Sequence, residues 1–507
     1  MTNGWNDIAN SDCILVMGAN CAENHPAAFG HIMTAKARGA KLISVDPRFT
    51  RTSAKSDIYA PLRSGTDIAF IGGMINYVIE DIEKNPGNYN MTYIIEYTNA
   101  PFLINPDFKG PADLDGIFSG LNADAKSYNK STWQYQLDEN GVPKRDKTLK
   151  NPNCVFQLLK KHYARYDVDK VCKITGTPKD VYLEICKTFA ATGKTGKAGN
   201  ILYAMGTTQH TYGTQNIRAY AILSLLLGNI GVSGGGIYAM RGEHNVQGST
   251  DMALLAHILP GYLGVPINKD ITLQDYLKRL TPTTKDPLSA NWWGNYPKYI
   301  VSLLKAWYGS AATKDNDFGF GYLPKVSGNA TALHSWIPLF EAMNKGTIKG
   351  MFCFGQNPAV GGPNSTLERN AMDKLEWLVV ADLWETETAD FWKRPGTNPA
   401  NIKTEVFVLP AACHYEKEGT VTNSGRWVQW RYKAANPPGE AMGDLEIIDE
   451  IGRKIKEVYK AGGKYPDPIL KMTWDNGHPA SADKVLREIN GYDLKTGKLI
   501  NNFVSLK

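Results

Sequence analysis

The stretch CILVMG, residues 13–18, decides the fold. Five apolar residues run unbroken and stop on a glycine, the pattern of a short strand buried on both faces. AAFGHIMTAKARG (27–39) follows with helical spacing, and Gly39 stands where such a helix would stop. KLISVD (41–46) reads as a second buried strand ending on an acid. Strand, helix and strand fit into about 30 residues, the length of a parallel crossover.

A matching unit returns far downstream. GMFCFGQNPAVGGP (350–363) mirrors ILVMGANCAENHP (14–26), with Gly355 and Asn357 answering Gly18 and Asn20. LVVAD (378–382) then mirrors ISVD (43–46). Gly18 precedes Asp46 by 28 residues and Gly355 precedes Asp382 by 27. A G-x-N turn at a strand's carboxyl end lets backbone N–H groups approach phosphate, and an acid after the next strand accepts hydrogen bonds from ribose or base. Neither unit carries the full G-x-G-x-x-G, so a standard dinucleotide site is not supported. One such unit alone is usually an ordinary βα turn; two suggest related nucleotide-type half-sites.

Composition narrows the class. At 507 residues the chain is long enough for roughly two to four domains. Its 43% hydrophobic and 21% charged content is ordinary for a globular protein. The net charge of +6 suits a polyanionic ligand, although many proteins carry such an excess for solubility. No Lys/Arg-dense block appears, so nucleic acid is not an expected partner. The seven cysteines include no C-x-x-C, which removes zinc ribbons and ferredoxin-type clusters from this stretch. Their odd number and wide spacing argue against a disulfide framework. No apolar run reaches the ~18 residues of a membrane span. The opening TNGWNDIANSD has neither basic nor apolar signal regions, so a chain made as given would stay in the cytoplasm.

Residues 105–152 are rich in Asp, Asn, Gly, Ser and Lys and read as a surface excursion. A helix is expected over 178–190, with Thr177 as its cap and Pro178 in its first turn. LPGYLGVP (259–266) and GNYPK (294–298) read as loops. The tail beyond residue 466 is polar and ends without a capping feature.

Five polar segments carry the candidate chemistry. VDPRFTRTSAKSD (45–57) places Arg48, Arg51 and Lys55 past a strand end, and PLRSGTD (61–67) adds Arg63, Gly65 and Asp67. Cations there suit pyrophosphate, although a solvated basic face is the commoner fate of such charges. MGTTQHTYGTQN (205–216) lies between an apolar strand and an apolar helix, offering Met205, Gln209 and His210. His210 reads as a cap or turn residue rather than a catalyst. MRGEHNVQGSTD (240–251) puts Arg241 in a glycine-bearing segment that looks like neither core helix nor strand. HYEKEGTVTNSGRWVQWR (414–431) is turn-rich, and a solvated charged loop is its plainer reading. No zincin motif or nucleophile elbow is present, so hard chemistry would fall to a cofactor.

These segments, with RSGTDIAF, FGQNPAVGGP and VVADLWETETADFW, stand in an order that resembles the molybdopterin oxidoreductases. Within them the chain is most similar to the large subunit of respiratory, periplasm-facing formate dehydrogenases, over nearly its whole length. The resemblance implies an α/β fold: two related Rossmann-like parallel-sheet domains, the middle domains of the DMSO-reductase-like fold, with long surface insertions. It divides the chain at 1–243, with an insertion at about 105–152, at 244–400, and at 401–507, a segment leading to a C-terminal cap domain expected after Lys507. It implies a bis-molybdopterin guanine dinucleotide with molybdenum or tungsten. Gly18, Asn20, Asp46, Arg48, Gly65, Asp67, Met205 and Gln209 would hold one dinucleotide. Asn357, Asp382, Lys417 and Asp444 would mainly hold the other. Arg241 matches the family's active-site arginine, whose guanidinium can pair with formate's carboxylate.

The resemblance assigns no metal ligand to this chain. The metal-ligating selenocysteine or cysteine with its histidine, and the cysteines of a 4Fe–4S cluster, are expected in an N-terminal portion before Met1. A UGA codon read as a stop would make Met1 an internal methionine. The implied partners are formate, that N-terminal portion, an iron–sulfur electron-transfer subunit and a membrane cytochrome subunit. A periplasmic location would follow from an upstream signal. Two other readings stay open: an inert pterin- or nucleotide-binding fragment, and a relative acting on nitrate or another oxo-anion.

Overall fold

The computed structural model describes residues 2–328 and 334–489, so the C-terminal segment from 490 onward lies outside the described residues. The chain forms two compact units. One comprises Met1–Gln247, Thr284–Ala290 and Thr422–Trp427; the other comprises Gly248–Thr283, Asn291–Val421 and Val428–Lys507. The short returns at 284–290 and 422–427 join the first unit although they are distant in sequence.

The first unit is built on an all-parallel sheet of five strands: β1 (Cys13–Met17), β2 (Lys41–Val45), β3 (Ile58–Ala60), β4 (Gly199–Tyr203) and β5 (Gly236–Ala239). Their order is β3–β2–β1–β4–β5. Every residue of central β1 is buried because helices cover both faces. Leu15 and Met17 face a cluster with Phe70, Ile71 and Met74 of α2 (Asp67–Lys84). Ile14 and Val16 face the opposite cluster, with Ala28, Ile32 and Ala35 of α1 (Pro26–Ala37). Helix α1 stops just before Gly39, as its sequence predicts.

The excursion at 105–152 carries one short antiparallel ladder, Leu121–Asn122 against Ser127–Tyr128, and a 3-10 turn at Ser131–Trp133. It is held by an aromatic cluster in which Phe118 and Tyr128 lie 5.4 and 5.3 Å from Trp133. Two local expectations need correction. The predicted helix begins at Lys179 and Pro178 is its cap; Thr177 instead donates its hydroxyl to Pro61 O at 2.7 Å. GNYPK is not a loop, because Pro297 sits in the first turn of the helix Tyr296–Tyr308, where a missing N–H costs nothing.

The second unit has a parallel sheet of three strands, β6 (Gly350–Phe354), β7 (Trp377–Asp382) and β8 (Glu405–Pro410), in that order. Helices Trp336–Asn344 and Ser365–Met372 close one core around Cys353, Leu378 and Val380. Strand β8 lies past residue 400, so this sheet draws on the C-terminal segment. The fold is α/β with two parallel-sheet units, as the sequence predicts.

Candidate functional site

The first half-site grows from the carboxyl edge of the five-stranded sheet. Gly18 leaves β1 with φ +61°, in the left-handed region open to glycine, and its N–H donates to Val45 O at 3.3 Å. A Cβ on Gly18 would meet the backbone of Gly206 and Thr207 at 2.8 Å, and one on Gly206 would meet Gly18 Cα at the same distance. Two loops therefore cross backbone against backbone at the strand end. Asn20 opens the single turn Cys21–Asn24. Its Oδ1 accepts from Thr52 Oγ1 at 3.0 Å, and Thr52 Oγ1 accepts in turn from Ala22 N–H at 3.0 Å.

A cleft of about 500 Å³ opens above this bracket. Gly18, Asn20, Asp46, Arg48, Gly65, Asp67, Met205 and Gln209 all line it, so the eight residues expected to hold one dinucleotide are brought together. Arg51 and Lys55 do not line it; Arg51 pairs with Glu23 at 3.3 Å. Arg63 donates to Lys173 O and Ile174 O at 2.7 and 2.9 Å, at the end of a helix. His210 does line the cleft: its Nε2 lies 2.8 Å from Gly206 O, and its ring stacks on Tyr212 at 5.8 Å.

Two carboxylates set the cleft's electrostatics. Burial raises the pKa of Asp46, against the hydrogen bond from Arg48 N–H and the guanidinium of the same residue. Burial raises Asp67 as well, and the negative charge of Asp46 adds to it. Each group therefore holds its proton more tightly when folded, and ionising it opposes folding. That penalty is absent below the unfolded carboxyl pKa of about 3.9 and is complete above the folded value. Asp67→Asn should accordingly raise the melting temperature of the cofactor-free protein at neutral pH. The difference should close as pH falls toward about 4, which thermal unfolding at both pH values checks.

The second half-site repeats the first in its backbone. Gly355 has φ +57° and its N–H donates to Ala381 O at 2.9 Å, just before Asp382. Asn20 (φ −111°, ψ 68°) and Asn357 (φ −120°, ψ 69°) share one conformation, each opening a single turn. Asn357 Oδ1 accepts from Thr388 Oγ1 at 2.8 Å, and Thr388 Oγ1 accepts from Ala359 N–H at 3.1 Å. The same bracket thus closes both half-sites. The shared pattern is G-x-N-x-A followed by D-x-x-x-T-x-T, and Thr52 and Thr388 are its unforeseen members. Both threonines are fully buried. Removing either hydroxyl strands the amide N–H of Ala22 or Ala359 that it accepts from. Thr52→Val and Thr388→Val should each lose about 1–3 kcal/mol in urea unfolding, while the Ser variants keep the bracket.

Asp382 Oδ1 accepts from Leu383 N–H at 2.7 Å. Beyond β8, Ala411 N–H donates to Asp382 O at 3.0 Å and Ala412 N–H donates to Met442 O at 2.8 Å. This brings the start of the helix Asp444–Lys460 to the same sheet edge. Lys417 and Asp444 form an ion pair there, a pairing no spacing rule announces. The two loops differ in charge. Arg48 and Arg51 follow Asp46, whereas Glu385 and Glu387 follow Asp382, with Trp384, 76% exposed, just before them.

Arg241 follows β5. Its neighbours Met240 and Gly242 line the first cleft, and Val246–Asp251 closes into a six-residue helix. The segment 240–251 is thus partly helical, unlike its sequence reading. A glycine crossing, a cation and two carboxylates, Asp67 buried and Asp46 half-buried, suit an elongated anionic ligand with a nucleotide end: Arg48 and backbone N–H groups for phosphate, carboxylates for ribose or base donors. Among the described residues, no group of three or more His, Cys, Asp or Glu side chains could hold a metal ion.

A family model described as molybdopterin oxidoreductase matches residues 1–122 and 152–454, leaving out most of the surface excursion. The chain is 50% identical to the formate dehydrogenase subunit alpha of Megalodesulfovibrio gigas, over 98% of this chain and 48% of that one. It is 49% identical to the formate dehydrogenase 2 subunit alpha (cytochrome c-553) of Nitratidesulfovibrio vulgaris, over 100% of this chain and 50% of that one. The chain spans about half the length of these curated relatives. The solved structure of acetylene hydratase from Pelobacter acetylenicus matches with a TM-score of 0.49 at 18% identity, over 89% of this chain and 50% of that one. The chain belongs to the molybdopterin oxidoreductase family, whose cofactor is a molybdopterin carrying molybdenum or tungsten.

Proposed function

We propose that this chain is the cofactor-binding catalytic segment of a formate dehydrogenase, oxidising formate to CO2 with release of two electrons and a proton. The observation that carries the proposal is the Asn–Thr–Ala bracket, present once in each unit, the first of them beside a cleft whose lining flanks Arg241 on both sides. Two equivalent half-sites suit two equivalent nucleotide ends, as a bis-molybdopterin guanine dinucleotide has. Gly18, Asn20, Asp46, Arg48, Gly65, Asp67, Met205 and Gln209 would hold one end; Asn357, Asp382, Lys417 and Asp444 would hold the other. When bound, the metal–pterin centre accepts the two electrons.

Arg241 would pair its guanidinium with formate's carboxylate and fix the direction of the C–H bond. Relatives at 49–50% identity bear formate dehydrogenase names, which favours formate over nitrate or another oxo-anion. The proposed partners are the remainder of the polypeptide with its 4Fe–4S cluster, an iron–sulfur subunit and a membrane cytochrome subunit, in the periplasm. The test is expression of the full-length polypeptide, with metal and pterin analysis and a formate–dye assay. Formate-dependent dye reduction by protein carrying metal and pterin supports the reading. Loaded protein that ignores formate but reduces nitrate overturns it.

A further inference from the structure

The backbone of Arg241 is gripped from both sides. Its carbonyl oxygen lies 2.6 Å from His25 Nε2, and its N–H donates to Ser424 Oγ at 3.0 Å. A carbonyl oxygen only accepts, so Nε2 carries the proton in this contact. Four residues on, Asn245 Oδ1 accepts from Thr422 N–H at 3.0 Å, fastening the far end of the loop to the same 422–424 segment. His25, Thr422 and Ser424 are 7%, 6% and 4% exposed, so these bonds are shielded from competing water. Trp5 meets the His25 ring edge-on at 5.8 Å and holds its plane. Burial keeps the imidazole below its usual pKa, and its Nδ1 faces the Asn24 carboxamide at 2.5 Å.

His25 also ends the segment that Asn20 begins. Asn20 lines the nucleotide-type cleft and is fixed by Thr52, and five residues later His25 holds Arg241. Arg241 is 216 residues away in sequence, yet its carbonyl is fixed by the same short turn that borders the cleft. We infer that His25, with Ser424, is a positioning residue: it sets the place of the Arg241 guanidinium for a small carboxylate substrate and couples that place to the geometry of the first nucleotide half-site. The inference rests on the reading of Arg241 given above and adds the residues that aim it.

The test uses the full-length, cofactor-loaded enzyme. His25→Ala, His25→Gln, Ser424→Ala and Arg241→Lys are compared with wild type for formate kinetics, metal and pterin content, and hydrogen exchange of the amides of residues 241–246. With the carbonyl released, His25→Ala should raise KM for formate about tenfold with a smaller change in kcat, because substrate pairing suffers before the chemical step. Exchange over 241–246 should rise while metal and pterin content hold. Gln places an amide N–H near the position of Nε2, so His25→Gln should return KM most of the way. The inference is overturned if His25→Ala leaves KM and exchange at wild-type values, if its activity falls only in step with lost cofactor, or if Gln rescues nothing. Failure of the formate reading looks different: loaded wild-type protein would then ignore formate, while the exchange data would still report whether His25 holds the loop.

Discussion

Arg241→Lys in the full-length enzyme should lower kcat/KM for formate by roughly 10²–10³-fold, the usual effect of removing one preorganised donor from a site of developing charge. Charge is conserved in this variant, so the loss reports geometry. A guanidinium offers two parallel N–H groups to a carboxylate, whereas an ammonium is a point donor on a flexible stem. Formate has no other part that an enzyme could hold, so its whole orientation depends on such a pair. The side chain's base is also fixed: Arg241 is held at N–H by Ser424 and at C=O by His25. A lysine on this anchored backbone keeps the charge near the substrate but not its direction. Metal and pterin content should stay at wild-type levels, and formate-dependent dye reduction measures the loss.

Much of this geometry was legible in the chain, and the illegible part has a common cause. The strand at 13–17 announced itself because central parallel strands are apolar throughout. Gly18 and Asp46 were visible because a strand's carboxyl edge is where an α/β sheet meets its ligand. Lys417 with Asp444, and His25 with Arg241, pair across 27 and 216 residues, and no local pattern encodes such pairs. The threonines lay in between. D-x-x-x-T-x-T stands twice in the sequence, but a threonine hydroxyl acquires meaning only once its partners Asn20 and Asn357 are placed. Proline in GNYPK misled because it marks a helix start as readily as a turn. The duplication itself survived because backbone shape, set by Gly and Asn, was kept while loop charge changed from Arg48 and Arg51 to Glu385 and Glu387.

That shared backbone makes an internally controlled experiment possible. Gly18 and Gly355 occupy the same left-handed conformation, at φ +61° and +57°. Alanine there meets the same intrinsic penalty at both positions, about 1–2 kcal/mol. Their surroundings differ. Around Gly355 an added Cβ meets nothing within 4 Å, so Gly355→Ala should cost that backbone penalty alone. At Gly18 the same methyl would stand 2.7 Å from Thr207 Cγ2 and 2.8 Å from the backbone of Gly206 and Thr207. Backbone cannot step aside as a side-chain tip can, so the crossing of the 18–20 and 204–207 loops must open. Those loops carry Asn20 and Met205 to the cleft, and opening them should disperse the eight residues gathered there. Gly18→Ala is therefore expected to lose several-fold more stability than Gly355→Ala in thermal unfolding. Under the proposed function it should also lose the dinucleotide proposed for the first half-site, seen as pterin and guanine nucleotide falling together in the purified full-length protein. Equal destabilisation by the two alanines would mean that the loops do not cross backbone to backbone, and the first half-site would have to be rebuilt on different contacts.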